Sequence, residues 1–218
     1  LGFCEVAAFP DRREAMARII TIGASQGGVQ ALRALIAGLP PDFGAPVLIV
    51  QHIGAAESML PCILNEVSAL KAAFASPGEP LESGRIYVAP PDHHLLVRYG
   101  HVLLSRGPRE NWARPAVDPL FRSAAHDHGA DAIGIVLSGR LNDGTAGLVE
   151  IKRAGGVALV QTPREAEAPG MPQSALDNVA VDYCLGVDQM PRLLVRLAAG
   201  ALAQERRLDA SRAGRRPG

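Results

Sequence analysis

From residue 17 onward the chain alternates two patterns. Short apolar runs rich in β-branched residues occupy 18–23, 47–51, 85–89, 132–137, 157–161 and 181–185, and each reads as a buried strand. Between most of them the apolar residues recur at helical spacing. Val29, Leu32, Leu35, Ile36 and Leu39 mark one such stripe, which Pro40-Pro41 stops. Further helices are predicted over 58–70, 119–128, 145–154 and 189–199. Residues 94–97 and 101–104 flank Tyr99-Gly100 and predict a hairpin. Strands alternating with helices give an α/β fold: a mostly parallel, doubly wound sheet with helices on both faces, plus one antiparallel hairpin. Residues 16–200 form the expected domain, 1–15 a loose extension, and 201–218 an Arg-rich flexible tail.

In such sheets the chemistry sits just beyond the carboxyl ends of the strands. The first strand is followed by Ser25-Gln26-Gly27-Gly28, the second by His52, and the run 132–137 by Ser138-Gly-Arg-Leu-Asn-Asp-Gly144. A serine, a histidine and an aspartate therefore fall on one edge of one sheet.

Ser25 has three competing readings. Gly23-Ala-Ser-Gln-Gly27-Gly28 could be a dinucleotide-binding turn. The ribose-binding acid expected at the end of strand two is missing, because Gln51-His52 stands there. Tyr87, Tyr99 and Tyr183 also lack the lysine four residues on that short-chain dehydrogenases use; the only lysines are Lys71 and Lys152. Ser25 could simply cap the next helix. Or Gly23-Ala24-Ser25-Gln26-Gly27 is a G-x-S-x-G elbow, a strained turn exposing a nucleophile, with His52 as base and Asp143 orienting that base. The order Ser…His…Asp differs from that of α/β-hydrolases, but a triad is defined by geometry and not by order.

Composition narrows the partners. Lys plus Arg and Asp plus Glu are both 22, so the formal charge is zero and nothing pulls the chain toward nucleic acid or anionic lipid. Cys4, Cys62 and Cys184 are scattered and form no CxxC pair, which argues against a disulfide framework or a zinc knuckle. No apolar run nears the roughly 18 residues of a membrane span, so a cytoplasmic protein with no membrane insertion is expected. The remaining candidates have structural explanations. His126 and His128 form an HxH pair at a helix end with no further metal ligand in view, so no metal is expected. Asp118 reads as a cap with Pro119 at the first helical position. Asp143, taken alone, is a turn residue in Asn142-Asp143-Gly144.

Three segments taken together add a resemblance. Ile22-Gly-Ala-Ser-Gln-Gly-Gly28, Val50-Gln-His-Ile53 and Leu137-Ser-Gly-Arg-Leu-Asn-Asp-Gly144 resemble the catalytic segments of the chemotaxis protein-glutamate methylesterases. Lesser matches are Tyr87–His94, Arg114–Phe121 and Gly170–Leu176, so the resemblance runs in unbroken order from about residue 18 to 197. It implies a cofactor-independent serine hydrolase acting on glutamate γ-methyl esters of chemoreceptor cytoplasmic helices, or of a similar signalling protein, with glutamine deamidation as a further activity. It assigns Ser25 as nucleophile, His52 as base and Asp143 as orienting acid. The backbone N–H of Gln26 and an amide of the Gly139–Arg140 turn, with Arg140 the chosen residue, are expected to form the oxyanion hole.

Two departures stand out. Arg140-Leu141 replaces the family's methionine-glycine pair, and a side chain at 141 is expected to reshape the turn, since glycine alone has free access to positive φ. Only about 17 residues precede the first strand, too few for the receiver domain many members carry. These departures motivate an alternative: a catalytically degenerate module that docks on receptor-like helical bundles.

Overall fold

The computed structural model describes residues 18–52 and 58–200, so the predicted extension 1–15 and tail 201–218 lie outside the described residues. The sheet has seven strands: β1 (Ile19–Ala24), β2 (Val47–Gln51), β3 (Lys71–Phe74), β4 (Arg85–Val88), β7 (Ala132–Val136), β8 (Val157–Gln161) and β9 (Tyr183–Leu185). Their order is β3-β4-β2-β1-β7-β8-β9, and every pairing is parallel. The hairpin of β5 (His94–Arg98) and β6 (His101–Ser105) stands apart as an antiparallel pair. Its turn residues Tyr99 and Gly100 both have positive φ, and the Asp127 carboxylate accepts from both amides.

Alternation along β1 explains the two layers. Ile20, Ile22 and Ala24 face one apolar cluster, shared with α1 (Gly28–Ala37), α2 (Leu60–Asn65) and α6 (Met190–Ala198). Ile19 faces the other cluster, with α3 (Val117–His128), α4 (Thr145–Arg153) and α5 (Gly170–Asn178). Strands buried on both faces read as continuous apolar runs, which is why their positions were visible in the sequence.

Three elements differ from expectation. The helix predicted over 58–70 is only Leu60–Asn65, because the chain must return to form β3, a four-residue strand with no periodicity of its own. Gly170–Asn178 is a helix whose weak amphipathic pattern, opened by Gly and Pro, gave no helical signal. β9 is shortened to Tyr183–Leu185.

β1 lies at the centre, with β2 on one side and β7 on the other. The chain leaves β1 into α1 on one face and leaves β7 into α4 on the opposite face. The carboxyl ends of β1 and β7 thus border the crevice where a doubly wound sheet changes direction.

Candidate active site

Ser25 begins the turn after β1. Its amide donates to the Ser138 carbonyl (2.9 Å), joining it to the turn after β7. The serine is not the cap of α1: the N-cap is Gly27, at φ 72°, with no side-chain cap bond. Nor is Ser25 itself in a left-handed conformation; the turn places that demand on Gly27. A side chain at Gly27 would meet Ser138 Oγ at 2.7 Å, and one at Gly28 would collide with Gln51 Oε1.

Gln51 is the last residue of β2 and is buried. Its Nε2 donates to the carbonyls of Ser25 (2.7 Å) and His52 (2.9 Å). The His52 amide donates to the Ala24 carbonyl (2.9 Å). Serine and histidine are thus laced together through backbone and one buried amide. Gln161, which ends β8, does the equivalent for the other turn: its Oε1 accepts from the Ser138 amide (2.8 Å). Neither glutamine was foreseen as a site residue. Their only signal is a polar residue at the end of a strand apolar up to that point.

Asp143 is 2 % exposed and accepts four hydrogen bonds. Oδ2 takes His52 Nε2 (2.7 Å) and the Val117 amide (2.7 Å); Oδ1 takes the Asp118 amide (3.0 Å) and Asn111 Nδ2 (2.7 Å). The carboxylate therefore sits on the N-terminus of α3, where free N–H groups and the helix dipole favour an anion. Gly23 makes this possible, because any side chain there would collide with Val117. Burial alone would raise the Asp143 carboxyl; the bonds from His52 and the α3 amides outweigh it and hold the group below the usual carboxylate range. The turn-residue explanation of Asp143 is therefore insufficient.

Asp118 does not cap α3. The helix starts at Val117 after Ala116, and Asp118 lies one residue inside it. Its buried carboxylate accepts from the Gly147 amide (2.7 Å) and Asn111 Nδ2 (2.8 Å). Burial pushes this carboxyl up, and the charge of Asp143 adds to the rise.

The turn after β7 is strapped by the approach to α5. The Gly139 amide donates to the Ala168 carbonyl (2.9 Å), and the Met171 amide donates to the Gly139 carbonyl (2.8 Å). Gly139 has no room for a side chain, with Met171 on one side and Ser25 Cβ 2.9 Å from the position a Cβ would take. Because the Gly139 amide is occupied, it cannot hold an oxyanion. The amides of Gln26 and Arg140 make no backbone bond among the described residues. Leu141 adopts φ 64° itself and points outward, 72 % exposed.

Outside this site, His94 ties two loops together. His94 donates from Nε2 to the Pro108 carbonyl (2.9 Å) and accepts the Ala116 amide at Nδ1 (3.2 Å). His126 and His128 lie in the last turn of α3. Among the described residues no group of three or more His, Cys, Asp or Glu could hold a metal ion, and no helix is long and apolar enough to cross a membrane.

The CheB methylesterase family model matches residues 20–194. A putative protein-glutamate methylesterase/protein-glutamine glutaminase of Leptospira interrogans is 40% identical over 187 residues, covering 85% of this chain and 97% of the relative. A protein-glutamate methylesterase/protein-glutamine glutaminase of Anaeromyxobacter dehalogenans is 42% identical over 85% of this chain and 54% of its own length. The crystal structure of the Thermotoga maritima CheB methylesterase catalytic domain superposes with a TM-score of 0.81 at 32% identity, covering 84% of this chain and 99% of that one. The chain belongs to the CheB methylesterase family.

Proposed function

We propose that this chain hydrolyses glutamate γ-methyl esters on the cytoplasmic helices of methyl-accepting chemoreceptors, with Ser25 as nucleophile, His52 as base and Asp143 as orienting acid. Family membership makes it a carboxylic-ester hydrolase. The observation that carries the triad assignment is the 2.7 Å bond from His52 Nε2 to a buried, ionised Asp143, on the sheet edge that bears Ser25.

With Nε2 given to Asp143, Nδ1 is the nitrogen left to take the Ser25 proton as Oγ attacks the ester carbonyl. Among the described residues Ser25 Oγ has no hydrogen-bond partner, and it turns toward His52 as substrate enters. The tetrahedral oxyanion is held by the Gln26 and Arg140 amides, the first of them at the N-terminal end of α1. Collapse of the intermediate expels methoxide, which leaves as methanol with the proton from His52. Water, deprotonated by the same histidine, then attacks the acyl-enzyme and releases Ser25 and a glutamate carboxylate. Asp143 stays a carboxylate throughout and stabilises the imidazolium. A side-chain amide would follow the same path with ammonia as leaving group, giving deamidation of glutamine.

The test is methanol release from a methylated receptor cytoplasmic fragment. The parent is expected to release methanol, and Ser25→Ala to lose about six orders of magnitude in kcat with an unchanged circular dichroism spectrum. Equal release by Ser25→Ala overturns the serine mechanism. A folded parent that neither releases methanol nor reacts with a fluorophosphonate would instead be a docking module.

A further inference from the structure

The segment before α3 makes a tight turn at Glu110–Ala113. Its two central residues, Asn111 (φ 50°) and Trp112 (φ 62°), are both left-handed, and Glu110 and Ala113 exchange backbone hydrogen bonds of 3.2 and 2.8 Å. Two positive φ values in a two-residue turn are the pattern of type I′, which favours asparagine and glycine. The turn is tied down on both sides. Arg122 of α3 donates to both Glu110 carboxylate oxygens (2.7 Å each), and Arg114 donates to Asp92 (2.6 and 2.9 Å) and to the Gly107 carbonyl (2.8 Å). Trp112 is thrown outward, 91 % exposed, while Asn111 is aimed inward.

There Asn111 meets both buried carboxylates of the site. Its Nδ2 lies 2.7 Å from Asp143 Oδ1 and 2.8 Å from Asp118 Oδ2. One amide nitrogen has two hydrogens, so each carboxylate can receive one. Without that bridge two buried carboxylates would face each other with a missing donor, an arrangement that repels and drives one of them to shift or to take a proton. Asp143 has two jobs for Oδ2, binding His52 and the α3 amide, so its orientation depends on what anchors Oδ1. The anchors are Asn111 and the Asp118 amide.

We propose that Asn111 is a positioning residue of this esterase: its side-chain amide holds the Asp143 carboxylate in register with His52 and keeps the Asp118 carboxylate apart from it. The proposal rests on the Ser25–His52–Asp143 assignment. It separates two roles that asparagine could play, because Asn111→Gly keeps the left-handed turn and removes only the amide.

The experiment measures the rate of fluorophosphonate labelling of Ser25 and the kcat and KM of methanol release against pH. Parent, Ser25→Ala, Asn111→Gly and Asn111→Asp are run side by side with thermal melts. Asn111→Gly is expected to melt like the parent and to lose about ten- to hundredfold in labelling rate and kcat, with KM little changed. Parent labelling rate and kcat in a folded Asn111→Gly, or a loss confined to KM, would overturn the proposal and leave Asn111 a turn residue. Should Asn111→Gly not fold, Asn111→Asp keeps the shape and replaces donor by acceptor; a folded Asp variant at parent rate at pH 8 overturns the proposal, and a slower one supports it. A parent whose labelling persists in Ser25→Ala refutes the triad itself, and this is seen before any Asn111 variant is compared.

Discussion

After β1 the left-handed position is held by Gly27, at φ 72°; the turn after β7 has two such positions, Leu141 at φ 64° and Gly144 at φ 92°. The two turns face each other across the switch point and carry Ser25 and Asp143, the proposed nucleophile and acid. In the first, space is the constraint: Gly27 and Gly28 are hemmed in by Ser138, Glu167, Gln51 and Ala24, so no side chain fits. In the second, Gly139 and Gly144 are crowded in the same way, but at Leu141 the backbone is the constraint. Leu141 bears the cost of an unfavourable φ, about 1 kcal/mol for an L-residue, while its side chain stands in solvent. A position limited by space fails on any addition. A position limited by backbone strain tolerates a side chain, because straps from Ala168, Met171 and Gln161 hold the turn from outside. That difference explains how a side chain can stand at 141 without dismantling the Arg140 amide.

The comparison can be broken from either end. The largest effect is expected from Asp143→Asn, which leaves both backbones intact and removes the charge that orients His52. Its kcat should fall by about 10⁴-fold, and its melting temperature should drop too, because a side-chain amide sets its N–H group against donors that the carboxylate accepts from; an unchanged melt would mean that these bonds add nothing to the stability of the acid turn. Next is Gly28→Ala, whose Cβ would drive Gln51 off the Ser25 and His52 carbonyls. A loss of about 2 kcal/mol in urea unfolding and about a hundredfold in labelling rate is expected, and parent-like behaviour would refute the steric account of this turn.

Acid titration gives the third prediction. The Asp143 carboxyl is held low, so its contribution to stability is complete above the unfolded value near about 4 and drains as pH falls through its lower folded value. Asp118, pushed up, acts in the opposite sense: its penalty at neutral pH disappears on protonation. Asp143→Asn should therefore flatten the acid-side decline in stability seen by denaturant titration below pH 4. The smallest effect is expected at Leu141→Gly. Relief of strain slightly exceeds the entropy glycine adds to the unfolded chain, so the melting temperature should hold or rise by about 2–4 °C. A clear fall would show that Leu141 makes a contact that offsets its φ.

Much of the site was legible because it follows long apolar runs. Ser25 and His52 directly follow strands that periodicity locates well, and Asp143 stands seven residues beyond a third. Asn111 was not legible. It lies in a stretch, 106–116, with no periodicity, and its importance comes from a left-handed turn that only tertiary ties from Arg122 and Arg114 define. Gln51 and Gln161 were hidden differently: each ends an apolar strand, where a polar residue is as easily read as the strand's solvent-facing tip. β3 and α5 were missed because their order comes from neighbours, β3 from pairing with β4 and α5 from bracing the Gly139 turn.

The central pairing of β1 with β7 also has a consequence in time. Ser25 and His52 are encoded early, on neighbouring strands, but Asp143 reaches them only when Ile19 aligns with Ala132 across more than a hundred residues of chain. Closing so long a loop is slow and comes after local structure. A nascent chain that has left the ribosome as far as β6 already holds the proposed nucleophile and base, yet lacks the carboxylate proposed to orient the imidazole. On that assignment, synthesis order withholds the triad until the last strands of the sheet are made.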